Sequence, residues 1–535
     1  MERDVAWKNY DEADEEALEA LAAEYKEFIS RNKTERACAA TAIEMAEAHG
    51  YRPLDEAIRE GRALVSGDKV WAAAHGKALI LVQVGSEPFA AGMNILGAHI
   101  DSPRLDLKQN PLYESNGFAL MDTHYYGGIK NYQWVTLPLA LHGVVAKTDG
   151  TVVDVNVGDE DGDPVFCVSD LLIHLANQQM DKKAGKVVEG EDLDLLVGNR
   201  PLRVGGEDGS GVEAGAAVGS GAGVGDAGVQ GAAGIVDAGA TEAAGDAETA
   251  VDAAVAESAA AAAPADPKDP AAGKPAFEEL AEKEPVKAFA LKLLASKYGI
   301  AEEDFLSAEL EAVPAGPARD LGFDRSMVIG YGQDDRVCAY TSLVAQLEVE
   351  RPRKAAVCVL VDKEEIGSVG ATGMASQFFE NTIAEIMELA GEGGALPLRR
   401  ALAASCMLSS DVSAGFDPAY AGVFEAKNSA YLGRGLVFNK YTGSRGKSGS
   451  NDASAEYMAR IRRVMDDAGV AYQTAELGRV DAGGGGTIAY IPAKYGMDVI
   501  DSGVAVLSMH SPWEVTSKAD IYEAYKGYQA FLKNA

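Results

Sequence analysis

Basic residues are scarce in this chain, and that scarcity removes whole classes of function. Lys and Arg number 48 against 82 Asp and Glu, a formal net charge of −34. Nucleic acid demands cations opposite its phosphates, and anionic membranes demand them at their surface, so neither is an expected partner. Cysteine is also rare. Cys38, Cys167, Cys338, Cys358 and Cys406 are scattered without metal-like spacing, three of them in apolar runs that read as core. A reducing cytoplasm is the expected compartment. No apolar run reaches the length of a membrane span. The opening MERDVAWKNYDEADEEALEALAAEY lacks a basic region followed by an apolar one, so no secretory signal is read.

A local absence sets residues 204–275 apart. They contain no aromatic residue and no Leu, and they carry 12 acidic residues against two lysines. Such a stretch buries too little apolar surface to offset the entropy of ordering it. It is read as a disordered Ala/Gly/acidic insertion leaving a surface loop.

The rest is rich in buried-looking segments: apolar residues make up 47% of the chain, and 535 residues exceed one simple core. Residues 11–32 and 34–49 read as helices, with Thr34 as N-cap and Gly50 as stop. ALILVQV at 78–84 and NILGAHI at 94–100 read as central strands of a covered sheet. Residues 105–200 alternate as antiparallel β-structure does. From about 286 a helix leads back to alternating strands and helices, an α/β layer pattern. The expected organisation is a catalytic α/β domain of 1–104 and 286–535, with a β-rich domain inserted at 105–285.

Chemistry-bearing residues sit at the ends of apolar runs. NILGAHIDSPR ends in His99 and Asp101, AAVCVLVDKEEIG in Glu364 and Glu365, ALAASCMLSSD in Asp411, and MDVIDSGVAVLSMHSPWE in His510. Open α/β sheets form sites outside the carboxyl ends of their strands. In IGYGQDDRVCAY, Asp334 and Asp335 follow a strand-like segment and open a helix, where they serve either as helix-start carboxylates or as a bridge between cations. Any one of these has a bland reading: a lone histidine at a strand end is usually surface or hydrogen-bonded core, and Glu-Glu is usually a solvated turn. Together, two histidines with several carboxylates suit Zn²⁺, Co²⁺ or Mn²⁺, and two such ions form a clamp for hydrolysis. If the chain stays extended at Glu364-Glu365, the two side chains point apart.

GAHIDSPRLDLK, DKEEIGSVGATGM, SSDVSAGFDPAY and LSMHSPWE, in that order, resemble the aspartyl aminopeptidases, dinuclear zinc exopeptidases of the cytosol. The resemblance spans nearly all of the chain outside 204–275. It implies a phosphorylase/hydrolase-like catalytic domain whose central mixed sheet is flanked by helices, and a β-rich dimerisation domain. It implies two divalent ions, Zn²⁺ first, with His99, Asp334, Glu365, Asp411 and His510 as ligands. Gly-Gln-Asp-Asp stands where better-known members have Arg-Leu-Asp-Asn, so whether Asp334 or Asp335 bridges stays open. Asp101 would orient His99, and Glu364 would be the general base. His174, in SDLLIHLANQ, matches a histidine lent to a neighbouring subunit; its bland reading is a half-buried residue on an amphipathic helix. Lys440, in FNKYTGSRG, lies where members keep a basic substrate-binding residue. The implied assembly is a tetrahedral dodecamer built from dimers, acting on peptides.

The departures around Asp334 and Lys440 leave open whether acidic N-termini are preferred to neutral or basic ones, and a related metal-dependent deacylase is a further reading. A non-catalytic self-assembling scaffold is the rival from another class. The run DAGGGGTIAYIPAKYG lacks the spacing of a phosphate cradle and reads as a tight loop near the site, where backbone approaches substrate closely.

Overall fold

Four parallel strands form the middle of a nine-stranded sheet. Their order is Ala355–Val361, Met93–His99, Cys406–Ser410 and Asp498–Gly503. The computed structural model that reveals this describes residues 4–203 and 274–535; residues 204–273 of the expected insertion lie outside them. Ala78–Gln83 and Lys69–Ala74 extend the sheet antiparallel on one side, and Leu436–Asn439 does so on the other.

The central strands are apolar on both faces because both faces are covered. One core packs strand residues such as Leu96 and Ala98 under the helices Glu12–Arg31, Glu35–Ala48, Gln333–Glu348, Ala455–Asp467 and Lys518–Asn534. The other packs Met93 and Ile95 under Leu54–Glu60, Phe378–Leu389 and Ala395–Ala404. The first two helices begin as read: Asp11 accepts N–H bonds from Ala13 and Asp14, and Thr34 accepts one from Ala37.

The β-rich part is an antiparallel sheet of six strands: Val152–Val157, Leu139–Ala146, Ala308–Pro314, Arg104–Ser115, Phe118–Tyr126 and Leu195–Gly198. Helix Pro285–Tyr298 packs on it through Val286, Ala288 and Leu291. The third strand in that order lies past residue 286, so the β-rich unit runs on to Pro314 rather than ending at 285.

The fourth ligand-bearing run also differs from its reading. Asp498–Gly503 belongs to the nine-stranded sheet, but Ala505–Leu507 belongs to a separate sheet of five strands. That sheet is ordered Arg319–Leu321, Met327–Gly330, Glu514–Ser517, Ala505–Leu507 and Ser413–Ala414. The chain changes sheets at Gly503, where a Cβ would lie 2.0 Å from the Asp411 carbonyl oxygen. His510 therefore sits in the connection between two antiparallel strands, not at the end of a central one.

Candidate metal centre

Three of the four runs end as their sequence suggests. His99 closes its strand and is buried. Its Nε2 faces Asp334 Oδ1 at 3.2 Å, Glu364 Oε2 at 3.9 Å and Asp411 Oδ1 at 4.0 Å. The segment after Ala355–Val361 does not stay extended. Lys363 takes a left-handed conformation, φ +71°, and Glu364–Ile366 form a short 3-10 turn. The two glutamates still diverge, because Glu365 Oε2 lies 3.6 Å from His510 Nε2.

Asp334 stands between the halves. One carboxylate oxygen faces His99 and the other faces His510 Nε2 at 3.2 Å. Its neighbour Asp335 is turned away: Oδ2 accepts the His99 backbone N–H at 3.4 Å. Two groups of ligand atoms result, each with all members within 4.8 Å of one another: His99, Asp334 and Asp411, and Asp334, Glu365 and His510.

The imidazoles are oriented from behind. His510 Nδ1 lies 2.8 Å from the Gly128 carbonyl oxygen, and His99 Nδ1 lies 3.0 Å from the Asp101 carbonyl oxygen and 3.3 Å from its Oδ1. With Nδ1 of each ring held by an oxygen acceptor, Nε2 is the nitrogen left facing the centre, where a cation would take its lone pair. Asp101 also accepts the backbone N–H groups of Glu364 and Glu365, both at 3.2 Å. The loops are tied to one another: Ser102 Oγ donates to the Asp334 carbonyl at 2.6 Å, and buried Arg336 donates to the Ile100 carbonyl at 3.1 Å.

The electrostatics match a cation site. Asp334, Glu364, Glu365 and Asp411 crowd against two imidazoles. Burial, then Asp334, raises the Glu365 carboxyl well above its ordinary range, and burial, then Asp335, does the same to Asp411. Glu364 is pushed up to about 7 by burial, with Asp334 and Asp101 adding to it against His99. Glu365 Oε1 is buried without a hydrogen-bond partner. Imidazole nitrogen with carboxylate oxygen is a donor set for Zn²⁺ and its neighbours, and divalent cations would relieve the crowding.

Two residues expected at the site are not brought to this cluster within the chain. His174 lies on an exposed turn, Ile173–Leu175, rather than on an amphipathic helix. Lys440 is level with Ile500, back from the strand ends, and it pairs with Asp452. The glycine run does make a close approach, but to protein: a Cβ on Gly484 would lie 2.5 Å from Ser444 Cα.

One participant was missed. Buried Glu514 accepts the N–H of His510 at 2.7 Å and of Asp334 at 3.0 Å. Its signal lies in WEVTS, where Glu514 and Thr516 are buried while Trp513 and Val515 are only half-buried. The polar face of that strand is the inward one.

Comparison with known proteins gives the family. The family model described as aminopeptidase I zinc metalloprotease (M18) matches residues 28–208 and 251–532. The Probable M18 family aminopeptidase 1 of Clostridium acetobutylicum is 53% identical over 529 residues, covering 99% of this chain and 98% of that protein. A crystal structure of an M18-family aminopeptidase from Thermotoga maritima is 38% identical, covers 100% of both chains and superposes with a TM-score of 0.81. A structure of the S. cerevisiae mApe1 dodecamer is 18% identical with TM-score 0.66 over 96% of each chain, a likeness of fold alone. Among the described residues no helix is long and apolar enough to cross a membrane.

Proposed function

The chain belongs to the M18 family of zinc metalloproteases and is an aminopeptidase, and from that premise we propose that it removes N-terminal residues from peptides at a centre of two divalent cations. The observation that carries this reading is the pair of ligand groups sharing Asp334. His99 and Asp411 would complete one site and Glu365 and His510 the other, with Asp334 common to both groups. Zinc is the first choice of ion, with cobalt or manganese as substitutes. Cations held there supply Lewis acidity toward the scissile carbonyl and the attacking water.

The protein groups do the rest. Glu364 belongs to neither ligand group, and its carboxylate takes the proton of the attacking water and returns it to the leaving amine. Asp101 fixes His99 and both glutamates. The substrate's free α-amino group would bind at a cation or at a carboxylate of the centre, which limits cleavage to the first residue.

His174 would act in the active site of a neighbouring subunit. Leu172, Ile173 and Leu175 beside it are 59%, 60% and 70% exposed, an apolar run that a partner would cover. An assembly built from dimers, such as a dodecamer, would provide that partner. A cytoplasmic location fits the five free cysteines.

Acidic selectivity is the weaker part of the family resemblance. Lys440 lies back from the strand ends and is engaged by Asp452, so its charge is held away from the metal centre. That favours neutral N-terminal residues over acidic ones. Hydrolysis of Asp-, Glu-, Leu- and Lys-nitroanilides by zinc-loaded protein tests both levels. Faster cleavage of Leu is the expected order, and cleavage of none, with no bound metal, would leave the scaffold reading in place.

A further inference from the structure

A contact that neither ligands nor bases account for reaches the centre from the β-rich unit. Tyr126 ends the strand Phe118–Tyr126. Its hydroxyl donates to Asp101 Oδ2 at 2.7 Å. The other contacts to that carboxylate are longer: the Glu364 and Glu365 N–H groups at 3.2 Å and His99 Nδ1 at 3.3 Å. A short hydrogen bond to a charged acceptor is the strong one, so the phenol sets the rotation of the carboxylate and the longer contacts follow.

Tyr126 is itself held. It is buried, and the Arg104 guanidinium lies 3.9 Å from its ring centroid. Arg104 is anchored by Asp106 at 2.7 Å, Glu311 at 3.2 Å and Glu35 at 3.7 Å. Those partners span the helix Glu35–Ala48 and two strands of the β-rich sheet. The next two residues press on the centre as well. Gly127 has φ +74°, and a Cβ there would sit 3.1 Å from Glu365 Oε2; the Gly128 carbonyl accepts from His510. A core tyrosine needs only some acceptor for its hydroxyl. This one uses the single carboxylate that touches His99, Glu364 and Glu365 together.

We propose that Tyr126 is a positioning residue of the metal centre, acting through Asp101 to hold His99 in its ligating orientation and Glu364 in reach of substrate. This rests on His99 being a metal ligand, so the test reads metal binding as well as rate. Zinc affinity is measured by chelator competition on the full-length protein and on Tyr126→Phe, Asp101→Asn and the double variant. The phenylalanine variant is expected to melt like the parent when metal-free, to bind zinc about ten- to a hundredfold more weakly, and to shift the visible spectrum of cobalt-loaded protein. In the Asp101→Asn background, adding Tyr126→Phe should change little, because the route runs through that carboxylate. Tyr126→Phe that binds zinc like the parent, with an unchanged cobalt spectrum, overturns the proposal. So does a tyrosine effect that persists in full without Asp101, and so does a metal-free Tyr126→Phe that melts well below the parent without a spectral change. Parent protein that takes up no zinc removes the ligand assignment as well, an outcome distinct from the others.

Discussion

Asp101 stands just past a parallel strand of the nine-stranded sheet, and Glu514 begins a strand of the five-stranded sheet. Each accepts two backbone N–H groups from segments that carry site residues: Glu364 and Glu365 for the first, Asp334 and His510 for the second. Their surroundings drive them apart. Burial raises both carboxyls, but at Asp101 His99, Tyr126 and Arg104 outweigh it and hold the group below its ordinary range. At Glu514 burial, reinforced by Asp334, pushes it up to about 8. The geometry of support is thus duplicated while its electrostatics are not: the Asp101 carboxylate faces His99 and Tyr126, whereas that of Glu514 lies against the Asp334 carboxylate.

The comparison can be broken most severely at the residue common to both sides. Asp334→Asn should remove both metals and abolish activity, measured as metal content per chain and nitroanilide hydrolysis; retention of one metal would mean the halves are independent. Glu364→Gln should lower kcat about 10²–10⁴-fold, the usual range for a general base, with metal content unchanged. Activity close to the parent would remove Glu364 from the base role.

Subtler substitutions sharpen the contrast. Asp101→Asn and Glu514→Gln should each weaken zinc binding about ten- to a hundredfold. The weakened site should be that of His99 and Asp411 in the first case and of Glu365 and His510 in the second, resolved by stepwise titration. The same site weakened in both would show that support is pooled.

The mildest test lies away from the centre. Asp159 of the β-rich unit pairs with buried Lys33 at 2.6 Å and His142 at 2.7 Å. Burial opposes its charge, but His142 and Lys33 prevail and lower its pKa to about 2. A depressed carboxylate adds stability that is present above its unfolded value of about 3.9 and lost as pH falls through about 2. Asp159→Asn should therefore cost about 2 kcal/mol at neutral pH, flatten the acid limb of urea denaturation, and leave zinc affinity alone.

Much of this was legible in the residues, for a physical reason. Strands buried on both faces are mostly apolar, so a His, Asp or Glu after an apolar run is conspicuous, and His99, Glu364-Glu365 and Asp411 announced themselves, although buried Asp501 stands inside Asp498–Gly503. His510 followed an apolar run equally long, but a run does not reveal that Gly503 lets the chain pass from one sheet to another. Helix Pro285–Tyr298 reads the same whichever sheet it covers, because its period reports that a face is buried and not against what; hence the boundary at 285. Tyr126 is one aromatic in an alternating strand. Its partner is fixed by where two units meet, which no local pattern encodes.

Each of the two ligand groups takes residues from both sheets, and that gives the junction between those sheets a second occupation. Only short spans link them near the centre, from Ser410 to Ser413 and from Gly503 to Ala505. The reach of Asp334 between its two imidazoles is consequently gauged by how closely those layers seat. A side chain larger than hydrogen at 503 would act as a wedge there, its Cβ meeting the Asp411 carbonyl oxygen at 2.0 Å, so a packing position in the sheet becomes a control on where a ligand sits.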